Sequence, residues 1–390
     1  MAFILTILIS SCSESEDLSS LEDSSILDGL DDSVAGGTLS GSGEGEQNTA
    51  GLITAGEWND LANWDFWNDL VRDEVFTSLT GWGISTSNRV SVRIVDGATP
   101  LVDVDVDIKR EGTPSSESIW SARTDNSGRA ELWLEPFTTT TQQSNLSDYV
   151  FYVNGIKAGP VKPYNQGVSV IQASASASTT SQLVDLSFIV DATSSMSDEL
   201  EFIKDDLEDV IRRVESGNRA LKIRTSTVFY RDQGDEYLFR KSDFEDNLDV
   251  TLEFISNQRA GGGGDFPEAV HVGMEQSISY QQWSENARAR IAFLILDAPP
   301  HSDSAITTTV RNQIERAASL GIKIIPITAS GIDKNTELLM RQMAILTNST
   351  YVFITNDSGI GNDHLEASVG EYEVEFLNDL MVRLIKKYTD

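Results

Sequence analysis

Ile291-Ala292-Phe293-Leu294-Ile295-Leu296 is an unbroken apolar run of strand length. Such a run fits a strand buried on both faces, and that requires cover on both sides of a sheet. The chain around it supplies the cover. Val184 to Val190 reads as a strand, and Leu200, Ile203, Leu207, Val210 and Val214 then recur at steps of three and four, the period of a helix. Leu221–Tyr230 reads as a second strand, with helices expected at 244–256 and 267–280. After the apolar run come a helix over 310–320, a strand over 322–327, a helix over 337–346, a strand over 351–354 and an amphipathic helix over 373–387. Alternation of this kind predicts an α/β fold, doubly wound around a mostly parallel sheet. Ligands of such sheets bind beyond the carboxyl ends of the strands.

That rule singles out particular loops. The first strand runs into Asp191-Ala192-Thr193-Ser194-Ser195-Met196, with Ser197, Asp198 and Glu199 suited to the start of the next helix. A carboxylate and two hydroxyls at i, i+2 and i+4 then stand at the open end of the sheet. Their oxygens are hard donors, which suit Mg²⁺, Mn²⁺ or Ca²⁺. The apolar run ends in Leu296-Asp297-Ala298-Pro299-Pro300-His301, a second carboxylate at the same edge, and Tyr230-Arg231-Asp232 ends the second strand. Between them Gly261–Gly264 precede Asp265-Phe266-Pro267-Glu268. No Gly-Lys-Ser/Thr follows, so this is not a phosphate-binding P-loop. The glycines instead permit close backbone approach and positive φ, and Pro267 suits the first turn of a helix.

VDLSFIVDATSSM, YRDQGDEY, GGGGDFPEAV and LILDAPPH, in this order, resemble von Willebrand factor A domains, especially the group found in alpha-kinase-linked and bacterial surface proteins. The resemblance covers about 183–388 and implies a metal-ion-dependent adhesion site. On it, Asp191, Thr193 and Ser195 are first-loop ligands, Asp191 acting through water, and Asp297 is the distal carboxylate. The threonine that the family carries in its middle loop has no equivalent. Asp265 is expected in its place, ahead of Asp232; His301 and Glu268 are further candidates beside the metal. Mg²⁺, or Mn²⁺ or Ca²⁺, is the implied cation, and a partner protein's Asp or Glu the implied ligand.

Upstream of 183 the period changes to two. Val90, Val92 and Ile94 alternate with Ser91 and Arg93; Val102, Val104, Val106 and Ile108 alternate with Asp103, Asp105 and Asp107. A turn cluster at 124–128 leads to Ala130, Leu132 and Leu134. DGATPLVDVDV followed by TDNSGRA resembles the transthyretin-like or carboxypeptidase-regulatory-like β-sandwich, and the three aspartates are expected on a solvated strand face. Trp58, Trp64, Phe66, Trp67 and Trp82 crowd the stretch before it, where Leu61, Trp64, Trp67 and Val71 fall at helical spacing. Packing on the next domain is the expected role of these aromatics.

The N-terminus adds a different signal. An apolar run, residues 1–9, precedes Ser10-Ser11-Cys12, which resembles the lipobox of bacterial lipoproteins, with Cys12 the lipidated residue. Ser13-Glu14-Ser15-Glu16-Asp17 looks like a Bacteroidetes-type surface-export tag. The expected organisation is a lipoprotein signal (1–12), a disordered acidic spacer (13–53), an aromatic-rich connecting segment (54–87), a β-sandwich (88–172), a small-residue linker (173–182) and the A domain (183–390). The resemblances imply an extracytoplasmic protein held by its lipid at the outer membrane or cell surface, and a monomer is expected.

Charge narrows the function classes. Residues 1–71 contain 14 Asp and Glu and no Lys or Arg, and the whole chain carries a formal net charge of −32. That argues against nucleic acid, whose binding depends on cationic side chains. The three histidines, His271, His301 and His364, form no H-E-x-x-H, and no serine has an obvious histidine partner in sequence. A binding protein rather than an enzyme is therefore expected. The alternatives are a subunit that recruits an enzyme or transport complex, and a metal-dependent hydrolase.

Overall fold

The computed structural model describes residues 50–79, 81–112, 117–137 and 145–390. The expected signal, Cys12 and nearly all of the acidic spacer lie outside these residues. In chain order the strands and helices are β1 (Thr54–Trp58), α1 (Trp64–Leu70), α2 (Glu74–Ser78), β2 (Arg89–Asp96), β3 (Thr99–Pro100), β4 (Asp105–Arg110), β5 (Trp120–Arg123), β6 (Arg129–Trp133), β7 (Tyr149–Val153), β8 (Ile156–Pro160) and β9 (Ser169–Gln172). There follow β10 (Leu183–Asp191), α3 (Leu200–Gly217), β11 (Lys222–Tyr230), β12 (Phe239–Glu245), α4 (Leu248–Ser256), α5 (Val270–Ile278), β13 (Ala289–Leu296), α6 (Ser304–Leu320), β14 (Ile322–Thr328), α7 (Lys334–Leu346), β15 (Tyr351–Ile354), β16 (Val374–Phe376) and α8 (Leu377–Thr389).

The apolar run is β13, and it lies mid-sheet as its sequence requires. The sheet has eight strands in the order β12-β11-β10-β13-β14-β15-β1-β16. The ladder from β11 through β10, β13 and β14 to β15 is parallel, while β12, β1 and β16 each pair antiparallel with their neighbours. Ile291, Phe293 and Ile295 face one apolar layer with α3 and α8, and Ala292, Leu294 and Leu296 face the other with α5, α6 and α7. This is the expected α/β class.

Three strands were not legible as such. β1 draws the aromatic-rich segment into the sheet, so 54–87 is more than a connection. β12 lies mostly ahead of the stretch 244–256 that reads as helical and takes its first two residues, and β16 occupies the start of 373–387. Helix α5 begins at Val270, so Pro267 precedes it rather than filling its first turn. Helix α3 starts after a short 3₁₀ turn at Ser194–Asp198, with Glu199 at the cap position. Ser197 therefore does not cap it.

Residues 89–172 pair into two small sheets, one of β3, β2, β6 and β9 and one of β5, β4, β7 and β8. Their buried Val92, Ile94, Val106, Trp120 and Leu132 belong to the same apolar cluster as Leu294 and Ile314, so the small sheets share a core with one face of the large one. The packing role expected of the aromatics holds for Trp67, Trp82 and Trp58, all buried. Arg341 and Asp60, both fully buried, pair at 2.6 Å beside Trp67. Asp103 departs from expectation. It is buried at φ +58 and binds Arg290 at 2.7 Å and Arg123 at 2.9 Å, tying the small sheets to the large one. Asp105 pairs with Arg123, and Asp107 accepts from Ser118 and Ser121. A basic partner on a neighbouring strand, invisible to local alternation, removes Asp103 from the solvated face.

Candidate functional site: a carboxylate cluster at the sheet edge

Strands β10, β11 and β13 deliver Asp191, Asp232 and Asp297 to the same edge because they are parallel and in register. Asp191 ends β10 and is fully buried. Its Oδ1 accepts from the Thr193 backbone N–H at 2.9 Å and the Thr193 hydroxyl at 2.7 Å. The Thr193 and Ser195 hydroxyls are 3.1 Å apart. Thr193 is buried and Ser195 exposed, so the group opens to solvent at Ser195.

The glycine loop lies across this turn. Gly261 N–H donates to Ala192 O at 3.0 Å, and Ser194 N–H to Gly262 O at 3.2 Å. Gly262 and Gly263 have φ of +78 and +72. A Cβ on Gly262 would fall 2.3 Å from the Asp235 carboxylate, and one on Gly263 would fall 2.9 Å from Glu268 Oε1. Both the backbone conformation and the space thus call for glycine. Asp235 Oδ2 fixes the loop by accepting from Gly263 N–H at 2.8 Å and Asp232 N–H at 3.0 Å. Arg231 binds two carbonyls, Ala192 O at 3.1 Å and Arg259 O at 2.8 Å, with Tyr237 stacked over its guanidinium. Its contact with Glu236 is longer, 3.6 Å. Arg231 is therefore chiefly a tie between loops.

Five carboxylates at this edge each bury an oxygen with no close hydrogen-bond partner among the described residues: Asp191 Oδ2, Asp198 Oδ1, Glu199 Oε2, Glu268 Oε2 and Asp297 Oδ1. The buried Tyr230 hydroxyl lies against Asp191. An unmet buried acceptor costs about 1–3 kcal/mol, and more when charged. Burial pushes the Asp191 carboxyl above its ordinary range, and Asp297 adds to the shift. Asp297 is raised by burial, then by Glu199 and Asp198. Glu268 is pushed up to about 9 by burial and by Asp191, Asp232 and Asp297. Like charges out of water oppose ionisation, and a cation would relieve all of them.

The sequence candidates divide on this geometry. Asp191, Thr193, Ser195 and Asp297 come together. Glu268 joins them from below the glycine loop, its backbone N–H held by Pro299 O at 2.9 Å. Asp265 is exposed and points to no bond among the described residues. Asp232 is buried but engaged by His301 Nε2 at 2.9 Å. Sequence reasoning overlooked Glu199, which accepts from Ser330 N–H at 3.2 Å and from His364 Nε2 at 2.9 Å. Its position behind Ser197 and Asp198 made it read as a helix-start acid.

Among the described residues no three acid, cysteine or histidine side chains converge into a ready-made metal cage. The donor set fits a cation in another way. Two carboxylates, Asp191 and Asp297, and two hydroxyls, Thr193 and Ser195, are hard oxygen donors of the kind a divalent ion takes while keeping water.

Residues 185–361 match the von Willebrand factor A domain family. Over 122 residues the chain is 30% identical to a putative ariadne-like RING finger protein of Acanthamoeba polyphaga mimivirus, which is 31% of this chain and 12% of that one. Over 123 residues it is 37% identical to the alpha-protein kinase vwkA of Dictyostelium discoideum, 31% of this chain and 19% of that one. The chain thus spans less than a fifth of the length of these curated relatives. Among solved structures, an aerotolerance-related membrane protein of Bacteroides fragilis is similar at 12% identity and a TM-score of 0.32, over 53% of this chain and 98% of that one. The pilus adhesin SpaC of Lactobacillus rhamnosus is similar at 14% identity and a TM-score of 0.35, over 54% of this chain and 31% of that one.

Proposed function

We propose that the von Willebrand factor A domain of this chain binds a protein ligand through a divalent cation, and that the chain does so outside the cytoplasm as a lipoprotein anchored at Cys12. The observation that carries the cation is the group of buried carboxylate oxygens without partners, set beside two hydroxyls at the sheet edge. Asp191, Thr193, Ser195 and Asp297 would hold Mg²⁺, or Mn²⁺ or Ca²⁺. The bound ion would act as a Lewis acid toward an oxygen of the ligand.

The chain's own residues prepare that contact. Thr193 orients Asp191 through two hydrogen bonds. Arg231 and Asp235 hold the three loops together, and exposed Ser195 marks the side from which a ligand arrives. A bound cation would favour ionisation of Glu268, whose carboxyl is otherwise held protonated by burial and its acidic neighbours, and the ionised group would add negative charge under the glycine loop. This favours retention of the cation and lessens its attraction for an acidic ligand. A partner carboxylate therefore binds with modest strength, consistent with a reversible contact.

His301 and His364 are engaged by Asp232 and Glu199 and help to hold the loops around the site. No helix among the described residues is long and apolar enough to cross a membrane. The lipid at Cys12 is the proposed attachment.

The test is thermal unfolding with Mg²⁺ or chelator, followed by capture of cell-surface proteins under both conditions. The ion should raise the wild-type midpoint and be required for capture, and Asp191→Ala should abolish both effects. Capture that survives both chelator and Asp191→Ala would overturn the mechanism. Palmitate labelling lost in Cys12→Ser would support the anchor; an unlabelled wild type would remove it.

A further inference from the structure

Strand β16 closes the large sheet on the side away from β12, and no strand among the described residues pairs with its outer edge. Its neighbourhood, Glu371-Tyr372-Glu373-Val374-Glu375-Phe376, alternates acid with large apolar residue. Tyr372, Val374 and Phe376 share one face and are 42%, 44% and 47% exposed. Tyr372 reaches back over Gly56 to meet Phe353 edge-on at 4.8 Å, a contact that a Cβ on Gly56 would block at 2.7 Å. The apolar face at the edge is thus continuous with the core.

The backbone at this edge is also turned outward. Leu377 N–H donates to Ile53 O, and the register pairs Ala55 with Glu375. Backbone groups alternate in direction along an antiparallel strand, so those of Val374 and Phe376 point away from β1. Open edges are ordinarily protected by shortness and charge. Here the charge left unpaired among the described residues is acidic. Glu375 is paired with Arg383, while Glu371 and Glu373 are exposed with no ion pair among the described residues.

We propose that β16 is a docking edge for an extended basic segment of another protein, one alternating Lys or Arg with β-branched or aromatic residues. Such a strand would meet the outward backbone groups, cover Tyr372, Val374 and Phe376, and pair its cations with Glu371 and Glu373. Charge selects against the nearer occupants. Residues 1–71 hold no Lys or Arg, and a second copy brings a net charge of −32 to an acidic edge. This surface is separate from the cation site and independent of it.

The test uses the full chain and a fluorescein-labelled peptide of alternating Lys and Val, read by anisotropy in chelator, with a Glu–Val peptide as the counterpart. Binding of the Lys–Val peptide is expected in chelator, so that loss of the cation mechanism leaves this result untouched. Val374→Pro, which removes an outward N–H, should abolish it. Glu371→Lys with Glu373→Lys should weaken it about tenfold and favour the Glu–Val peptide. A control pair at the far side of the sheet, Asp246→Lys with Glu253→Lys, should leave it within about twofold. Equal loss in the control pair would reduce the effect to general charge attraction and overturn the proposal, as would no binding, or full binding by Val374→Pro. Competition by a peptide of residues 13–49 would assign the edge to the chain's own tail. A dimer dissolved by Val374→Pro would assign it to a second copy. Either result also overturns the proposal. If Val374→Pro fails to fold by circular dichroism, the two charge-reversed pairs decide.

Discussion

At the scale of residues, some buried acids are met by a guanidinium and others, at the sheet edge and at Asp206, are not. Asp103 and Asp60 are as buried as Asp297, yet each has a guanidinium. Asp191 and Asp297 have no cationic partner among the described residues. We expect Asp191→Asn to stabilise the cation-free protein by about 1–3 kcal/mol, since it removes a buried unmet charge. The same change should erase stabilisation by Mg²⁺; denaturant unfolding with and without the ion checks both. Asp206 gives a separate pH prediction. Its carboxyl is pushed up to about 7 by burial, opposed by the Gly51 N–H at 2.6 Å and reinforced by Asp209 and Asp205. A carboxyl raised on folding binds more protons in the native state. Its favourable contribution is therefore present at low pH and is lost as pH rises from about 4 to about 7. Asp206→Asn should leave stability near pH 4 almost unchanged and raise it at pH 8 by on the order of 2 kcal/mol, as read from urea midpoints across that range.

At the scale of elements, legibility followed length and the reach of the side chains. β13 and β10 were readable because strands buried on both faces need apolar residues at nearly every position. α3 was readable from five apolar positions at helical spacing. β1 was not, because TAGEW is five residues long and interrupts its apolar pattern with glycine and glutamate. β16 has three residues and borrows its order from β1. At the candidate site, the closeness of Asp191, Thr193, Ser195 and Asp297 was legible because each ends or follows a parallel strand. Asp265 was expected by proximity to the glycine run. Glu268 is the acid that folds inward, because Gly262 and Gly263 turn the loop over it and Pro299 holds its backbone. Glu199 lies outside any such rule, since its partners Ser330 and His364 come from distant loops. Gly263→Ala should cost about 1–2 kcal/mol through its positive φ. It should also weaken cation binding by displacing Glu268 and Thr193, which calorimetric titration with Mn²⁺ will show. Gly264→Ala, at a position with open space and no positive φ, is the matched control.

At the scale of the whole molecule, residues 50–390 form one compact unit in spite of two architectures. The small sheets and the large sheet share an apolar cluster, and Asp103 with Arg290 and Arg123 locks them where local patterning predicted a wet surface. Residues 173–182 are likewise fastened, Thr179 N–H to Val102 O at 2.9 Å and Val102 N–H to the Ser178 hydroxyl at 2.8 Å. Wild type should unfold in a single calorimetric transition. Asp103→Ala leaves Arg290 buried without its charge partner, so it should lower stability by about 3–5 kcal/mol and split that transition in two. Such a body holds the carboxylate edge on one compact unit, and whether that edge holds a cation is the claim on which the functional reading depends. Equilibrium titration of the full chain with Mn²⁺, followed by electron paramagnetic resonance of the free ion, tests it most directly. A single saturable site is predicted, competed by Mg²⁺ and lost in both Asp191→Asn and Asp297→Asn. Absence of saturable binding in the wild type, or its retention in both variants, would contradict the account.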